Sequence, residues 1–350
     1  MSFGTIDAVN VLLVRLRTDT GLEGLGEAVT LGGPTWSEET VETAQLVTNR
    51  YLLPLVIGKS PLSLAGILEE MHRRVKGHYF AKAALECALF DLLGKAHNLP
   101  LYALLGGKCR ERVPLSWSLA TGDIEAEIAE AQRLMARGQW IFKLKTGVEA
   151  PEHDVERVAA LRTALGERAD LRIDANQGWD VPTAIRTLRR MEPYRITFAE
   201  QPVPRWDIEG LAAVSRSVSI PVMADESVCT PQEALRVATR SAARLFSLKL
   251  TKSGGFLASK KIAGIAEAAG ISCYVGCMIE TSVGTAAYLH FALSTPQVTY
   301  GCELFGPLLL QDDIVQNPVR YDNGYIEALE GPGLGVQLDE GKVQRYRRSQ

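Results

Sequence analysis

Three acidic residues, Asp174, Glu200 and Asp225, recur about one strand–helix unit apart, with Lys143 and Lys145 before them and Lys249 after. Each of these charges stands where a short apolar run ends. Carboxylates brought together from consecutive strands repel one another, and a hard cation with a preference for oxygen ligands, Mg²⁺ or Mn²⁺, relieves the conflict. A lysine beside such a cation, drawn partly out of water, has a depressed pKa and can serve as a base near neutral pH. A cation on a substrate carboxylate with a lysine on either side suits proton transfer at the neighbouring carbon, the cation stabilising the enolate charge. Any one of these residues alone is an ordinary loop charge or helix cap, and Asp225 could cap the helix that follows. Five charges at strand ends, Lys145, Asp174, Glu200, Asp225 and Lys249, about one unit apart, carry the argument. Gly254-Gly255 fits close backbone approach at the mouth of the site better than a phosphate cradle.

The elements that must position these charges follow from the pattern of the chain. Residues 113–312 alternate short apolar runs, at 113–119, 140–145, 171–173, 196–200, 222–224, 245–250, 272–275 and 299–302, with amphipathic helical stretches such as 123–137 and 181–191. Eight strands at this spacing predict a βα-barrel, whose functional groups gather at the C-terminal ends of the strands. An open doubly wound sheet is the competing architecture, but no glycine fingerprint follows the first strand. Residues 1–112 read as a hairpin followed by helices, an α+β unit, and residues 313–350 as a tail that returns to pack on it.

Composition narrows the class. The chain has 350 residues, 46% hydrophobic and 23% charged, with a formal net charge of −3. That balance argues against a nucleic-acid footprint, and Arg345, Arg347 and Arg348 read as a solvated end. No apolar run reaches the ~18 residues needed to span a bilayer. Six cysteines without a paired motif, and no signal peptide, point to free thiols in the cytoplasm. Cys273 and Cys277 lack the second cluster a zinc site requires, and the five histidines are read as structural.

Taken together, Lys143-Leu144-Lys145, Asp174-Ala175-Asn176, Glu200-Gln201-Pro202, Ala224-Asp225-Glu226-Ser227 and the segment 248–255 around Lys249 resemble the motifs of the muconate-lactonizing subgroup of the enolase superfamily. The likeness runs from residues 24–28 to 331–338. It implies an α+β capping domain, built from the N-terminus and the C-terminal tail, over a modified TIM barrel of (β/α)7β form. It further implies Mg²⁺ or Mn²⁺ held by Asp174, Glu200 and Asp225, with Lys145 and Lys249 as the acid/base pair and Lys143 stabilising the bound carboxylate. Asn176, Glu280 and Glu303 are candidates for substrate binding or proton relay. The family resemblance also suggests a homo-oligomer, often an octamer.

Within the subgroup, residues 26–33, 76–82 and 300–310 resemble the muconate cycloisomerases, which implies lactonisation of a dicarboxylate. Two features differ. The chain begins close to the strand leading into residues 24–28, so the usual first capping strand and much of the loop that covers the substrate are expected to be missing, through truncation or a late start. Residues 276–281 lean instead toward members that handle amino acids. A racemase or epimerase of N-acylamino acids or dipeptides, or a dehydratase of a hydroxyproline-like acid, is the alternative, with Glu280 or Glu303 pairing a substrate ammonium.

Overall fold

The computed structural model describes residues 8–348. Residues 1–7, on which the expectation about the chain's start depends, and residues 349–350 lie outside the described residues.

The cap begins with two antiparallel strands, β1 (Asn10–Arg17) and β2 (Glu23–Thr30), joined by a turn in which Gly21 takes φ +85°. Such a turn needs a residue free of a Cβ in the left-handed region. The 18-residue helix Tyr79–Ala96 packs against β2 and is buried along most of its length. Gly24 and Gly26 make the close approach geometrically feasible: a Cβ at Gly26 would stand 1.9 Å from the Ala84 carbonyl oxygen, and one at Gly24 2.1 Å from that of Ala88. The first of the helices expected in the cap is broken. Val41–Val47 is α-helical, Thr48–Leu52 opens into a π turn, and Leu53–Val56 resumes with Pro54 in its first turn.

The predicted strand 113–119 splits in two. β3 (Arg112–Pro114) ends at a proline, which cannot donate to a ladder, and β4 (Ser116–Leu119) enters the barrel. From β4 the barrel runs through β5 (Ile141–Lys145), β6 (Asp170–Asp174), β7 (Ala199–Glu200), β8 (Val222–Ala224), β9 (Leu245–Leu248), β10 (Ser272–Val275) and β11 (Val298–Cys302). All eight pair in parallel and in sequence order, and a bridge between Leu115 and Cys302 joins the last strand to the first. Seven main helices connect the eight strands, giving the (β/α)7β form of the barrel. Most of these helices open on a side-chain cap, as with Asp123, Asp180, Asp207, Thr230 and Thr281.

The tail forms the hairpin β12 (Tyr321–Asp322) and β13 (Tyr325–Glu327), which pairs with β3. Further on, the Leu334 N–H donates to Asp91 of the cap helix at 2.8 Å, and Glu340 pairs with Arg15 of β1. Two cap carboxylates dock on the barrel. Glu27 accepts the N–H groups of Thr281 and Gly284, and Glu86 accepts that of Leu257, so each sits at the start of a barrel helix, where unpaired N–H groups and the helix dipole favour negative charge. Among the described residues no single helix is long and apolar enough to cross a membrane.

Candidate active site

Parallel register decides which charges meet. Lys145 pairs with Asp174, and Asp174 with Glu200, on adjacent strands. Asp225 follows directly on β8, and Lys249 on β9. The acids therefore stand between the two lysines in strand order. Lys145 Nζ is 2.6 Å from Asp174 Oδ2, and Lys249 Nζ is 2.6 Å from Asp225 Oδ2. Lys143 Nζ lies 2.6 Å from both Glu200 Oε2 and Glu303 Oε2, and 3.6 Å from Asp174 Oδ2. A fourth ammonium, that of Lys252, lies 2.6 Å from Asp225 Oδ1.

These groups perturb one another strongly. Glu200 is pushed up to about 8 by burial and then by the charges of Asp174, Asp225 and Glu303, against the pull of Lys143. Asp225 is held below its ordinary value: burial acts the other way, but the ammoniums of Lys249 and Lys252 outweigh it. The lysines answer to two opposed effects. Burial does lower Lys145 and Lys249, but Asp174 and Asp225, in direct contact, more than reverse it, so both stay raised.

The three acids converge on ammonium groups rather than on one empty point, and among the described residues no three acidic, histidine or cysteine side chains form a ready metal cage. The chemistry of the set nevertheless fits a divalent cation. Its donors are all hard oxygens. Five buried carboxyl groups, Asp174, Glu200, Asp225, Glu226 and Glu303, lie among four buried or half-buried ammoniums, and Glu226 Oε2 has no hydrogen-bond partner among the described residues. The rise at Glu200 comes first from burial and then from the neighbouring carboxylates, and a dication would oppose both.

A cavity of about 300 Å³ opens above this floor. Lys145, Asn176, Lys249 and Glu303 reach its surface, with Trp117, Ile279 and Phe305 of the barrel and Leu31 and Trp36 of the cap as apolar walls. The segment 31–40 thus supplies a cover from the cap. Trp36 lies over Lys249, whose ammonium is 4.2 Å from the ring centroid. Asn176 spans the site, its Oδ1 3.4 Å from Lys145 Nζ and its Nδ2 donating to Glu226 at 3.2 Å. Ser118 donates to Glu303.

Four expectations differ. Lys143 is buried beneath the cavity floor, not on its wall, because Glu200 and Glu303 hold it down. Glu280 does not line the cavity either: its Oε1 accepts the Met278 N–H at 2.9 Å and its carboxyl is buried near Glu27 of the cap. Asp225 does not cap the next helix; Thr230 does. Gly255 makes its close approach to Glu86 of the cap, not at the mouth. Lys252, Glu226, Ser118 and Trp36 were not among the sequence candidates. Lys252 and Glu226 lie within the motif segments quoted around Lys249 and Asp225, whereas Ser118 and Trp36 carry no such signal.

Comparison with known proteins agrees with this geometry. Residues 1–106 match the mandelate racemase / muconate lactonizing enzyme N-terminal domain, and residues 126–342 the enolase C-terminal domain-like family. A chloromuconate cycloisomerase of Cupriavidus pinatubonensis is 41% identical over 97% of this chain and 91% of its own length. Muconate cycloisomerase 1 of Rhodococcus opacus is 41% identical over 99% and 93%. The crystal structure of the muconate lactonizing enzyme from Pseudomonas fluorescens complexed with muconolactone superposes with a TM-score of 0.95, at 39% identity, covering 97% of this chain and 91% of that one. With both halves matched and relatives at this identity aligned nearly end to end, the chain belongs to the mandelate racemase/muconate lactonizing enzyme family of the enolase superfamily.

Proposed function

We propose that the protein is a metal-dependent cycloisomerase interconverting cis,cis-muconate, or a chloro-substituted muconate, with the corresponding muconolactone. The supporting observation is that Lys145 and Lys249 reach one small cavity with Asp174, Glu200 and Asp225 between them in strand order. The names of the relatives point the same way. Enzymes of this family use a divalent metal; here Mg²⁺ or Mn²⁺ would be held by Asp174, Glu200 and Asp225.

A bound dication supplies positive charge that stabilises the enolate form of the substrate carboxylate. In the forward direction, the second carboxylate of muconate adds within the molecule to the double bond, forming the ring C–O bond. Lys145, an ammonium held by Asp174 and Asn176, gives its proton to the carbon next to the other carboxylate and is left as the amine. In reverse it removes that proton and the ring oxygen leaves. Lys249, bound to Asp225 beneath Trp36, contributes positive charge, and Lys143 balances Glu200 and Glu303 under the floor. The walls of Trp36, Trp117 and Phe305 exclude water from the reacting carbons.

The amino-acid alternative needs a carboxylate free to pair a substrate ammonium. Glu280 lies off the cavity and Glu303 is already engaged by Lys143 and Ser118, so neither fills that role. We further place the protein in the cytoplasm as a homo-oligomer: its six cysteines are unpaired, and Leu46, Tyr51, Ile57 and Leu62 expose apolar area on the cap.

The test is loss of muconate absorbance on adding the enzyme with Mg²⁺ or Mn²⁺, with the product formed in deuterated water. One deuterium entering next to the free carboxylate is expected. No turnover of either muconate or chloromuconate would remove the proposal.

A further inference from the structure

Lys143 and Arg172 are paired directly across β5 and β6. Residues so paired in a parallel ladder face the same side, and both side chains are buried inside the barrel, 1% and 3% exposed. Two like charges in this position repel, and the interior screens them poorly. The two chains diverge. Arg172 turns to Asp170, with Nη2 2.8 Å from Oδ2, and donates to the Tyr300 carbonyl at 2.8 Å. Lys143 turns the other way, to Glu200 and Glu303.

Both cations lie over the ring of Tyr274, with the Lys143 ammonium 5.4 Å and the Arg172 guanidinium 5.5 Å from its centroid. Phe198 meets the Tyr274 ring at 5.5 Å and 60° and takes the guanidinium at 4.9 Å. The Tyr274 hydroxyl is buried with no hydrogen-bond partner among the described residues, so the contacts this side chain makes here come from its ring, whose face attracts cations.

We propose that Tyr274 is a positioning residue for Lys143. Its ring separates two opposed buried cations and fixes the Lys143 ammonium between Glu200 and Glu303, and so the placement of Glu200 under the cavity. The kinetic part rests on the cycloisomerase reading; the electrostatic part does not.

The experiment compares wild type, Tyr274→Phe, Tyr274→Leu, Arg172→Met and the Tyr274→Leu/Arg172→Met double variant. Urea unfolding without metal or substrate reads the coupling between positions 172 and 274. Tyr274→Leu should be destabilising, and Arg172→Met in that background should recover about tenfold in the unfolding constant beyond additivity. With muconate, Tyr274→Leu should lower kcat about tenfold with KM within about threefold, Tyr274→Phe should stay within about twofold, and the double variant should regain most of the loss. Additive stabilities, or a Tyr274→Phe defect as deep as that of Tyr274→Leu, would overturn the proposal. If wild type does not act on muconate, the functional reading fails and the unfolding data alone decide on Tyr274.

Discussion

Lys249 is enclosed on two sides, by the Asp225 carboxylate at 2.6 Å and by the Trp36 ring at 4.2 Å from its centroid. Lys145 meets Asp174 and the Asn176 amide and faces the cavity. The two lysines therefore do different work. Lys145→Ala should lower kcat by about three orders of magnitude, the range of a positioned proton donor, and Lys249→Ala by about tenfold. Steady-state rates on muconate check this. Equal, near-total losses at both would instead restore a scheme in which each lysine moves a proton.

Metal should stabilise the fold. Adding Mg²⁺ or Mn²⁺ to metal-stripped protein should raise the melting temperature, by about 2.7 kcal/mol of stability at a hundredfold excess over Kd. Glu200→Gln should abolish the rise, since it removes a charge from the acid set. An unchanged melting curve for wild type at millimolar metal would count against the cation site.

His290 should make the protein acid-sensitive. Its Nδ1 accepts the Tyr102 N–H at 3.3 Å, which leaves Nε2 to donate to the Leu334 carbonyl at 3.1 Å. Burial lowers its pKa to about 4. The unfolded chain therefore binds a proton near pH 6.5 that the folded chain refuses until about 4, so stability is full above 6.5 and falls as pH drops through that window. Between pH 7.5 and 5 the loss from this group is about 2 kcal/mol. Urea unfolding at both values should show a difference smaller by that amount in His290→Gln; equal pH dependence in both proteins would reject the assignment.

The joint between cap and barrel should tolerate no added atom at Gly255. Its φ is +121°, and a Cβ there would lie 1.9 Å from Glu86 Oε2. Gly255→Ala should cost about 2–4 kcal/mol through strain and crowding together. Glu86→Ala, which only uncaps the helix Phe256–Ala268, should cost about 1–2 kcal/mol. A Gly255→Ala protein as stable as wild type would show that the helix can shift.

The strand-end charges were legible because period and position are local: a carboxylate after a short apolar run in a repeating βα pattern has few places to go but the barrel mouth. The strand 113–119 misled because Val113 and Leu119 are equally apolar, and only pairing with the tail shows that the chain changes sheets at Pro114. Trp36 was missed because it lies in a loop with no period, and its contact with Lys249 joins residues far apart in sequence. Glu280 was misplaced because the left-handed Ile279 before it, φ +61°, turns the chain in a way the residue types do not reveal. Arg172 is not singled out by the sequence, since nothing local announces a cation that shares an aromatic ring with Lys143.

The cavity draws its roof from residues 31–40 and its floor from barrel strands. Admission and reaction are thereby encoded in separate stretches of chain. Exchanging the short roof segment among relatives would change which molecules enter and the aromatic cover of Lys249, while leaving the carboxylates and ammoniums of the barrel strands in place.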